Sequence, residues 1–306
     1  MKYFFKTLIF IPIIGCLIFF IFLFFTIYVV PVNDNSYSLA HIDKIKMLDT
    51  SKKKIVLFGG SNVAFGFKSD LLEEKFPEYD IINAGTHASL GMRYPLKEIK
   101  EKLNEGDVLI IFPEYDQFNG GYGGTPLLEI CLYKRSFKNL EFKEFLNGIE
   151  HIKDFFLTQL NSRVSSKLYG KGFVYDRRGF NEKGDYIEHY NFEIENNLES
   201  RPFTIKEIDK SILQFFYNIK SELEKKNVKV LFFPPVFQKS SALMSLKEIK
   251  KISEEMKINK TPFLVKAETY FLEDKYFYDT VYHLNKEGVQ VRTNILIGNL
   301  QNIGLY

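Results

Sequence analysis

Cysteine is scarce in this chain of 306 residues, which contains only Cys16 and Cys131. Because Cys16 lies inside a long apolar stretch near the N-terminus, the remainder of the chain holds a single cysteine and lacks an intrachain disulfide. The sequence therefore excludes a disulfide scaffold and a cysteine-rich metal site. We predict that Cys16 is buried in the membrane, that Cys131 is a buried apolar residue, and that the protein uses neither a cofactor nor a metal.

A strong net charge is also missing. The formal net charge is +3 and the sequence pI is near 8.5. No basic stripe alternates with stacking aromatic residues in the manner of a recognisable DNA-binding or RNA-binding module. We therefore exclude nucleic acid as a partner.

Charged residues are absent from the stretch between Thr7 and Val30. A helix of this length is about 36 Å long, which is enough to cross a hydrocarbon core of about 30 Å. The sequence before Pro31 has no A-x-A cleavage pattern, which favours an uncleaved anchor. Lys2 and Lys6 precede the stretch, so the positive-inside rule predicts a single-pass membrane protein whose N-terminus is cytoplasmic and whose main domain is extracytoplasmic.

The rest of the chain fits one catalytic domain. We predict a membrane anchor at residues 1–30, a polar linker at 31–52 and a single domain at 53–306. The hydrophobic fraction of 45% can supply one core for a domain of this size. An insertion at about residues 120–201 interrupts the pattern of this domain.

Strand-like and helix-like segments alternate outside that insertion. The predicted strands are residues 54–59, 80–83, 107–112, 228–233 and 262–265, and the predicted helices are residues 69–75, 95–103, 245–256 and 285–299. Short apolar runs separated by amphipathic helices are typical of a parallel sheet that is covered by helices on both faces. In such α/β folds the functional site lies at the carboxyl ends of the strands.

Ser61 lies directly after the first predicted strand, in the sequence Gly59-Gly60-Ser61-Asn62. The glycines permit a tight turn, and backbone N–H groups at the start of a following helix favour developing negative charge. Gly85 follows the second strand, where the lack of a side chain lets a substrate oxygen approach a backbone N–H. Alone, each segment also fits an ordinary turn between a strand and a loop.

A nucleophilic serine needs a base, and the chain contains five histidines. His283 precedes the last predicted helix and has Asp279 four residues upstream, so one loop can supply both a base and the carboxylate that orients it. His87 is the reserve candidate for the base. A purely structural Asp–His hydrogen bond is the alternative. The other three are predicted to be surface residues: His41, His151 and His189.

Together these segments resemble the SGNH/GDSL hydrolase superfamily over residues 53–119 and 228–306. The resemblance implies a flavodoxin-like three-layer α/β/α fold in which Ser61 is the nucleophile, Gly85 an oxyanion donor, and Asp279 and His283 the acid and the base. Two features depart from the family pattern. Gly60 replaces the usual aspartate, and the Asp-to-His spacing is one residue longer than in the commonest form.

The third family block departs further. It is expected as Gly-x-Asn-Asp, but this chain has Pro113-Glu114-Tyr115-Asp116. Tyr115 aligns with the asparagine that donates to the oxyanion, and Gln117 or Asn119 can donate from nearby. Loss of one well-placed oxyanion donor costs about 10²- to 10³-fold in rate. We expect either a rebuilt donor or weak turnover.

The single N-terminal anchor and the departures in the family blocks are similar to those of membrane-anchored SGNH-like proteins that modify bacterial cell-surface polymers. That resemblance implies a serine acyltransferase or esterase acting on O-acyl groups of an extracytoplasmic glycan. The implied partners are a glycan or acylated cell-surface polymer, the lipid bilayer through residues 7–30, and a membrane-bound O-acyltransferase. The alternative is a non-catalytic SGNH-like scaffold or glycan-binding partner of such an acyltransferase.

The insertion at about residues 120–201 is predicted to begin with a flexible turn at 120–124. Thr125 and Pro126 indicate a helix that runs toward Arg135. Residues 172–181 mix aromatic and hydrogen-bonding side chains. They fit either a sugar-binding clamp or an amphipathic cover over the edge of the sheet.

Overall fold

The computed structural model describes residues 10–21, 24, 33–155, 157, 175–192 and 198–305. Residues 10–21 and 24 are helical. The predicted anchor spans residues 7–30, so its residues 7–9, 22–23 and 25–30 lie outside the described residues. In the part of the chain that is described, no helix is both long enough and apolar enough to cross a membrane.

The centre of the domain is a parallel sheet, as the sequence predicts. Its strands are β1 (Lys53–Gly59), β2 (Tyr79–Asn83), β3 (Val108–Phe112) and β4 (Lys229–Phe232), in the spatial order β2-β1-β3-β4. The predicted strand at 262–265 is wrong, because only Phe263 makes an isolated parallel bridge to β4. A separate parallel pair consists of β5 (Phe237–Gln238) and β6 (Phe271–Leu272).

Helices follow most of the strands, as the periodic apolar positions indicate. Their bounds are α1 (Ala40–Met47), α2 (Ser61–Ala64), α3 (Ser69–Lys75), α4 (Arg93–Glu101), α5 (Thr125–Lys134), α6 (Phe142–Glu150), α7 (Lys210–Glu224), α8 (Lys239–Met244), α9 (Leu246–Ile258) and α10 (Lys286–Asn302). The predicted helix after Thr125 is confirmed, although Gly124 occupies its N-cap.

Helices cover both faces of the sheet because successive strand residues point in opposite directions. Val56 and Phe58 of β1 belong to a buried cluster that includes apolar side chains of α4, α7 and α9. Ile55 and Leu57 belong to a second cluster that includes apolar side chains of α3 and α10. The molecule is therefore an α/β protein whose layering is compatible with a three-layer α/β/α arrangement.

The segment predicted as a linker is structured where it is described. Within it, α1 packs against the sheet domain through His41, which is 1% exposed and lies 2.9 Å from the Glu98 carboxylate. Burial lowers the pKa of His41, although the Glu98 carboxylate opposes that shift. Lys44, also on α1, is buried and donates hydrogen bonds to the carbonyl oxygens of Gly85 and Gly184. The prediction that His41 and His189 are surface residues is wrong, since His189 is 2% exposed.

Candidate active site

Ser61 begins α2 at the carboxyl end of β1, the edge at which the sequence places the site. The turn is tight because β1 and β3 approach closely at Gly59, where any side chain would collide with the Phe112 carbonyl. Ser61 is half-buried and therefore remains reachable from solvent. The backbone N–H of Ser61 donates to no group within the described part of the chain.

His283 and Asp279 form the predicted acid–base pair. The His283 Nδ1 atom lies 2.7 Å from the Asp279 Oδ1 atom. Since a carboxylate accepts hydrogen bonds, Nδ1 carries the proton and Nε2 is left as an acceptor. This is the tautomer that a general base for a serine hydroxyl requires.

Tyr175 adds a second donor to the same carboxylate. Its hydroxyl oxygen lies 2.5 Å from Asp279 Oδ2 and 3.3 Å from His283 Nδ1. Burial raises the pKa of Asp279, but the hydrogen bonds from His283 and Tyr175 outweigh that effect and leave the pKa below its usual value. Asp279 is therefore held as a carboxylate. The sequence places Tyr175 in the insertion and gives no sign of this role.

Phe65 fixes the His283 ring against the helix that carries Ser61. The two rings are stacked at a centroid distance of 4.2 Å and an interplanar angle of 9°. Phe65 directly follows α2 and is fully buried. Tyr186 of the insertion packs on Phe65 at 4.5 Å, and Tyr37 packs on both. This aromatic cluster brings the base to the Ser61 turn and covers one side of the site.

The Ser61 hydroxyl points to Glu114 and not to His283. Its Oγ atom lies 3.3 Å from Glu114 Oε1. No hydrogen bond joins the side chains of Ser61 and His283, both of which are described. The same Glu114 oxygen also accepts from the Asn62 backbone N–H at 2.9 Å and from the Asn62 side-chain amide at 3.2 Å.

Glu114 explains why a glycine occupies position 60. It is 4% exposed, and its carboxylate occupies the space into which a Cβ atom at Gly60 would project. An aspartate at position 60 would therefore overlap with Glu114. Burial raises the pKa of Glu114, and the hydrogen bonds from Asn62 partly oppose that shift. The sequence gives no sign of this role, because Glu114 falls at the unrestricted second position of Gly-x-Asn-Asp.

Asn62 is itself held by Arg292 of α10. The fully buried guanidinium donates to the backbone oxygen of Asn62 and, at 2.9 Å, to its side-chain oxygen. It also lies 4.1 Å above the Phe67 ring. Burial lowers the pKa of Arg292 to about 9. Arg292 thereby positions Asn62, and through it Glu114, beside Ser61.

The predicted oxyanion donors do not converge on Ser61. The Gly85 N–H donates to the Asn83 side chain at 3.0 Å. Tyr115 is fully buried between Phe203 and Phe237, and its hydroxyl finds no hydrogen-bond partner among the described residues.

The other two predicted donors are no better placed. Gln117 uses its side-chain oxygen to accept from the Glu114 N–H at 2.9 Å and its amide to donate to the Ala88 carbonyl at 3.2 Å. Asn119 is exposed at the end of its turn. The rebuilt donor that the sequence leads us to expect is therefore none of these three side chains as they stand.

His87, the reserve base, is oriented differently. Its Nδ1 atom accepts the Ser89 N–H at 3.1 Å, so the neutral ring carries its proton on Nε2 and offers no second acceptor. Desolvation and the neighbouring His283 both lower the pKa of His87, although part of its ring is open to solvent. This tautomer makes His87 a hydrogen-bond donor in the site and favours His283 as the base.

Comparisons with known proteins do not extend this assignment. No protein-family model matches the chain, and no curated protein is significantly similar to it. The site itself therefore provides the evidence for function. A serine hydroxyl, an oriented imidazole and a half-buried carboxylate at one edge of a parallel sheet are the groups that nucleophilic acyl transfer requires.

Proposed function

We propose that the chain is a membrane-anchored serine acyltransferase or esterase that acts on O-acyl groups of an extracytoplasmic glycan. Ser61 is the nucleophile, His283 the base and Asp279 the carboxylate that orients it. The observation that carries this proposal is the His283–Asp279 hydrogen bond of 2.7 Å on a ring that is stacked beside the Ser61 turn. A merely structural Asp–His pair has no need of a serine at the same strand end.

The proposed function is accompanied by a proposed fold. We assign the domain to the flavodoxin-like class and, on the order of its blocks, to the SGNH/GDSL superfamily. The strand order β2-β1-β3-β4 supports the first part, because flavodoxin-like sheets have the order 2-1-3-4-5. The parallel bridge of Phe263 to β4 lies where the fifth strand of that order would pair.

The first half of the reaction begins with a rotation of the Ser61 hydroxyl from Glu114 toward His283. His283 Nε2 removes the Oγ proton as Oγ attacks the acyl carbonyl, and Asp279 stabilises the resulting imidazolium. The Ser61 N–H, which has no partner among the described residues, donates to the carbonyl oxygen as it becomes negative. Expulsion of the alcohol, protonated by His283, leaves an acyl ester on Ser61.

The second half transfers the acyl group from Ser61. His283 deprotonates a sugar hydroxyl or a water molecule, which attacks the ester and releases Ser61. Transfer outcompetes hydrolysis only where the acceptor is positioned, and well-oriented groups reach effective molarities of about 10⁵ M or more. His87 and Tyr175 border the site and offer hydrogen bonds and a ring face to such an acceptor.

A non-catalytic scaffold remains the second candidate function. One specific observation favours it: the Ser61 proton is engaged by Glu114, while the N–H of Gly85 is engaged by Asn83. A protein that binds an acylated polymer for a membrane-bound O-acyltransferase needs neither group free. The two candidates differ in whether Ser61 ever becomes acylated.

Labelling with a fluorophosphonate probe distinguishes the two candidates. We expect the full chain in detergent or nanodiscs to be labelled covalently, and the Ser61→Ala variant not to be labelled. Ser89→Ala, which changes an exposed serine on the neighbouring loop, is the matched control and should keep parental labelling. Absence of labelling in a parent protein with a normal melting transition would favour the scaffold.

The proposed topology is tested separately. A protease added to intact cells or spheroplasts should remove the domain that follows Pro31, whereas the undigested protein fractionates with membranes. Protection of that domain in intact cells, with digestion after the membrane is opened, would contradict the proposed orientation.

A further inference from the structure

Large apolar side chains are unusually exposed on one part of the insertion. We define the apolar face by the exposed residues of α5, α6 and the turn between them: Tyr133, Phe137, Phe142, Phe145 and Leu146. Phe142 is 73% exposed, and Phe145 and Leu146 are each 44% exposed. Several large apolar side chains exposed on two consecutive helices are typical of a surface that contacts a partner or a membrane.

A cavity of about 360 Å³ adjoins the apolar face. Its lining is almost entirely apolar and comes from α5, α6 and the residues around them. Phe137 and Phe145 of the apolar face contribute to it, and so do Phe19 and Phe20 of the N-terminal helical segment. This part of the domain therefore accepts apolar groups, and the apolar N-terminal segment lies beside it.

The length of chain after the anchor places the apolar face near the bilayer. Ser36 comes only six positions after Val30, the predicted end of the anchor. Ser36 is fixed to the domain, since its hydroxyl donates to Glu129 of α5 at 2.8 Å. Six residues span at most about 20 Å when fully extended. The helix α5, which bears part of the apolar face, is therefore tethered within about that distance of the membrane boundary.

Charge in the same part of the chain complements a bilayer. Exposed cations flank the apolar residues in sequence at Arg135, Lys138, Lys143 and Lys153, whereas the exposed carboxylates after Phe142 are Glu150 and Asp154. The other acid of α6, Glu144, is buried, and burial raises the pKa of its carboxyl. An apolar face of Phe and Leu bordered by lysines is typical of helices that lie in the membrane interface.

We propose that the apolar face is a second membrane-contact surface, which lies in the outer lipid–water interface beside the N-terminal anchor. The proposal rests on the anchor of the proposed function and not on its chemistry. It also places the candidate active site close to the bilayer. Tyr37 follows Ser36 directly and packs on Phe65 at 6.1 Å and on Tyr175 at 5.8 Å. An acyl donor at the membrane surface can then reach the site without leaving the interface.

The chain contains no tryptophan, so a single introduced tryptophan reports on its own surroundings. We would make Phe142→Trp and Phe145→Trp in the full chain and reconstitute each at one chain per anionic nanodisc. Ile258→Trp is the matched control, because Ile258 is 75% exposed at the end of α9, away from the insertion. Each variant is compared in ordinary lipid and in lipid whose acyl chains carry bromine near the headgroup.

Bromolipid should lower the emission of Phe142→Trp and Phe145→Trp about two-fold or more, because interfacial helices place their apolar face ~5–10 Å into the headgroup and acyl boundary. Ile258→Trp should emit as a solvent-exposed residue and remain unquenched. Solvent-like, unquenched emission from positions 142 and 145 would overturn the proposal. Blue-shifted emission without quenching would also overturn it, since protein, such as residues 10–21, would then cover the face. Neither readout depends on turnover.

Discussion

The two sides of Ser61 differ in how far they are prepared for catalysis. On the base side, His283 is held in the required tautomer by Asp279, Asp279 receives a second hydrogen bond from Tyr175, and the ring is stacked on Phe65. On the oxyanion side, the expected donors are committed elsewhere. The Gly85 N–H is bound to Asn83, and Tyr115 points into the core.

The difference has a structural cause. The Asp279 and His283 side chains face one another, and they contact Tyr175 of the insertion and Phe65, which follows α2. The oxyanion loops lie between strands and helices, where every buried donor needs an acceptor. The Gly85 N–H and the Gln117 amide are bonded within the fold, whereas the Tyr115 hydroxyl is buried without a partner among the described residues. The carboxylate of Glu114 takes the place of an oxyanion donor beside Ser61. In the proposed mechanism, the hydroxyl of Ser61 must therefore leave Glu114 before it can act as the nucleophile.

The largest effect is expected on the base side. Ser61→Ala, His283→Ala and the double variant should each lower acyl turnover by about 10⁴-fold or more, to a common residual level, because the imidazole acts only through the serine. Asp279→Asn should lower acyl turnover by a smaller factor than Ser61→Ala or His283→Ala. Turnover of an activated acetyl ester measures all four. Parental turnover in His283→Ala would place the base elsewhere, with His87 the next candidate.

Glu114→Gln tests the oxyanion side. The neutral amide still accepts from Asn62 but holds the Ser61 hydroxyl less strongly. A hydrogen bond to a charged group contributes ~1.5–3 kcal/mol, so we expect labelling about ten-fold faster than in the parent. Because burial raises the pKa of Glu114, the ratio of variant to parent rates should be near one at low pH. It should rise as the pH passes through that raised pKa.

Stability should follow the same titration. The unfolded chain ionises Glu114 at about pH 4.3, below the folded value, so ionisation disfavours the folded state. The stability that neutral Glu114 retains below pH 4.3 is lost as the pH rises through its folded pKa. The melting temperature of the parent should therefore fall relative to that of Glu114→Gln over this window. Glu287→Gln, which changes an exposed carboxylate at the start of α10, is the control. Equal rate ratios at every pH in both variants would rule out this role for Glu114.

Tyr175→Phe should have a smaller effect on the base side. It removes the hydroxyl that donates to Asp279 but keeps the ring on Phe65. Loss of one such hydrogen bond should lower turnover about ten-fold. Since that hydrogen bond helps to depress the pKa of Asp279, the acid limb of the pH profile should move to higher pH. Tyr217→Phe on α7 is the control, and an unchanged profile in Tyr175→Phe would reduce Tyr175 to a packing role.

Gly60→Ala should have the smallest effect and sharpens the steric argument. The backbone of Gly60 is extended, with φ −76° and ψ −155°, so alanine brings no backbone strain. The cost should come from overlap with Glu114 and amount to ~1–3 kcal/mol of the free energy of unfolding. In a Glu114→Ala background the same change should cost less, with a coupling energy of ~0.5–3 kcal/mol in a double-mutant cycle. Strict additivity in urea unfolding would show that Glu114 is not the obstacle.

Much of the framework could be predicted from the sequence. Apolar runs bounded by glycine or charge located all four strands of the main sheet, and the helix at Ser69–Lys75 has the predicted bounds. The four-residue spacing of Asp279 and His283 predicts their hydrogen bond, and the glycine turn predicts the position of Ser61 at the end of β1, because each follows from a local pattern of neighbours in the chain. The prediction of a strand at 262–265 failed, since a short apolar run does not reveal whether a partner strand is available.

The residues that modify the site could not be predicted in this way. Tyr175 is 104 residues from Asp279 in the chain, and Glu114 is 53 residues from Ser61. No sequence motif marks either residue, because each acts through a single contact that forms only when distant parts of the chain pack together. The prediction that His41 is a surface residue failed for the same reason. A histidine in a polar segment becomes buried only because Glu98 of α4 lies opposite it.

The sequence by itself determined the periodic and local features: the alternation that makes a parallel sheet, the glycine turn before Ser61 and the four-residue spacing of Asp279 and His283. These depend on backbone conformation and on side chains a few residues apart. Only the tertiary structure decided which donors stay free, which carboxylate meets the serine and which apolar side chains remain exposed. Those outcomes follow from the requirement that buried polar groups find partners, which is met across the fold and not along the chain.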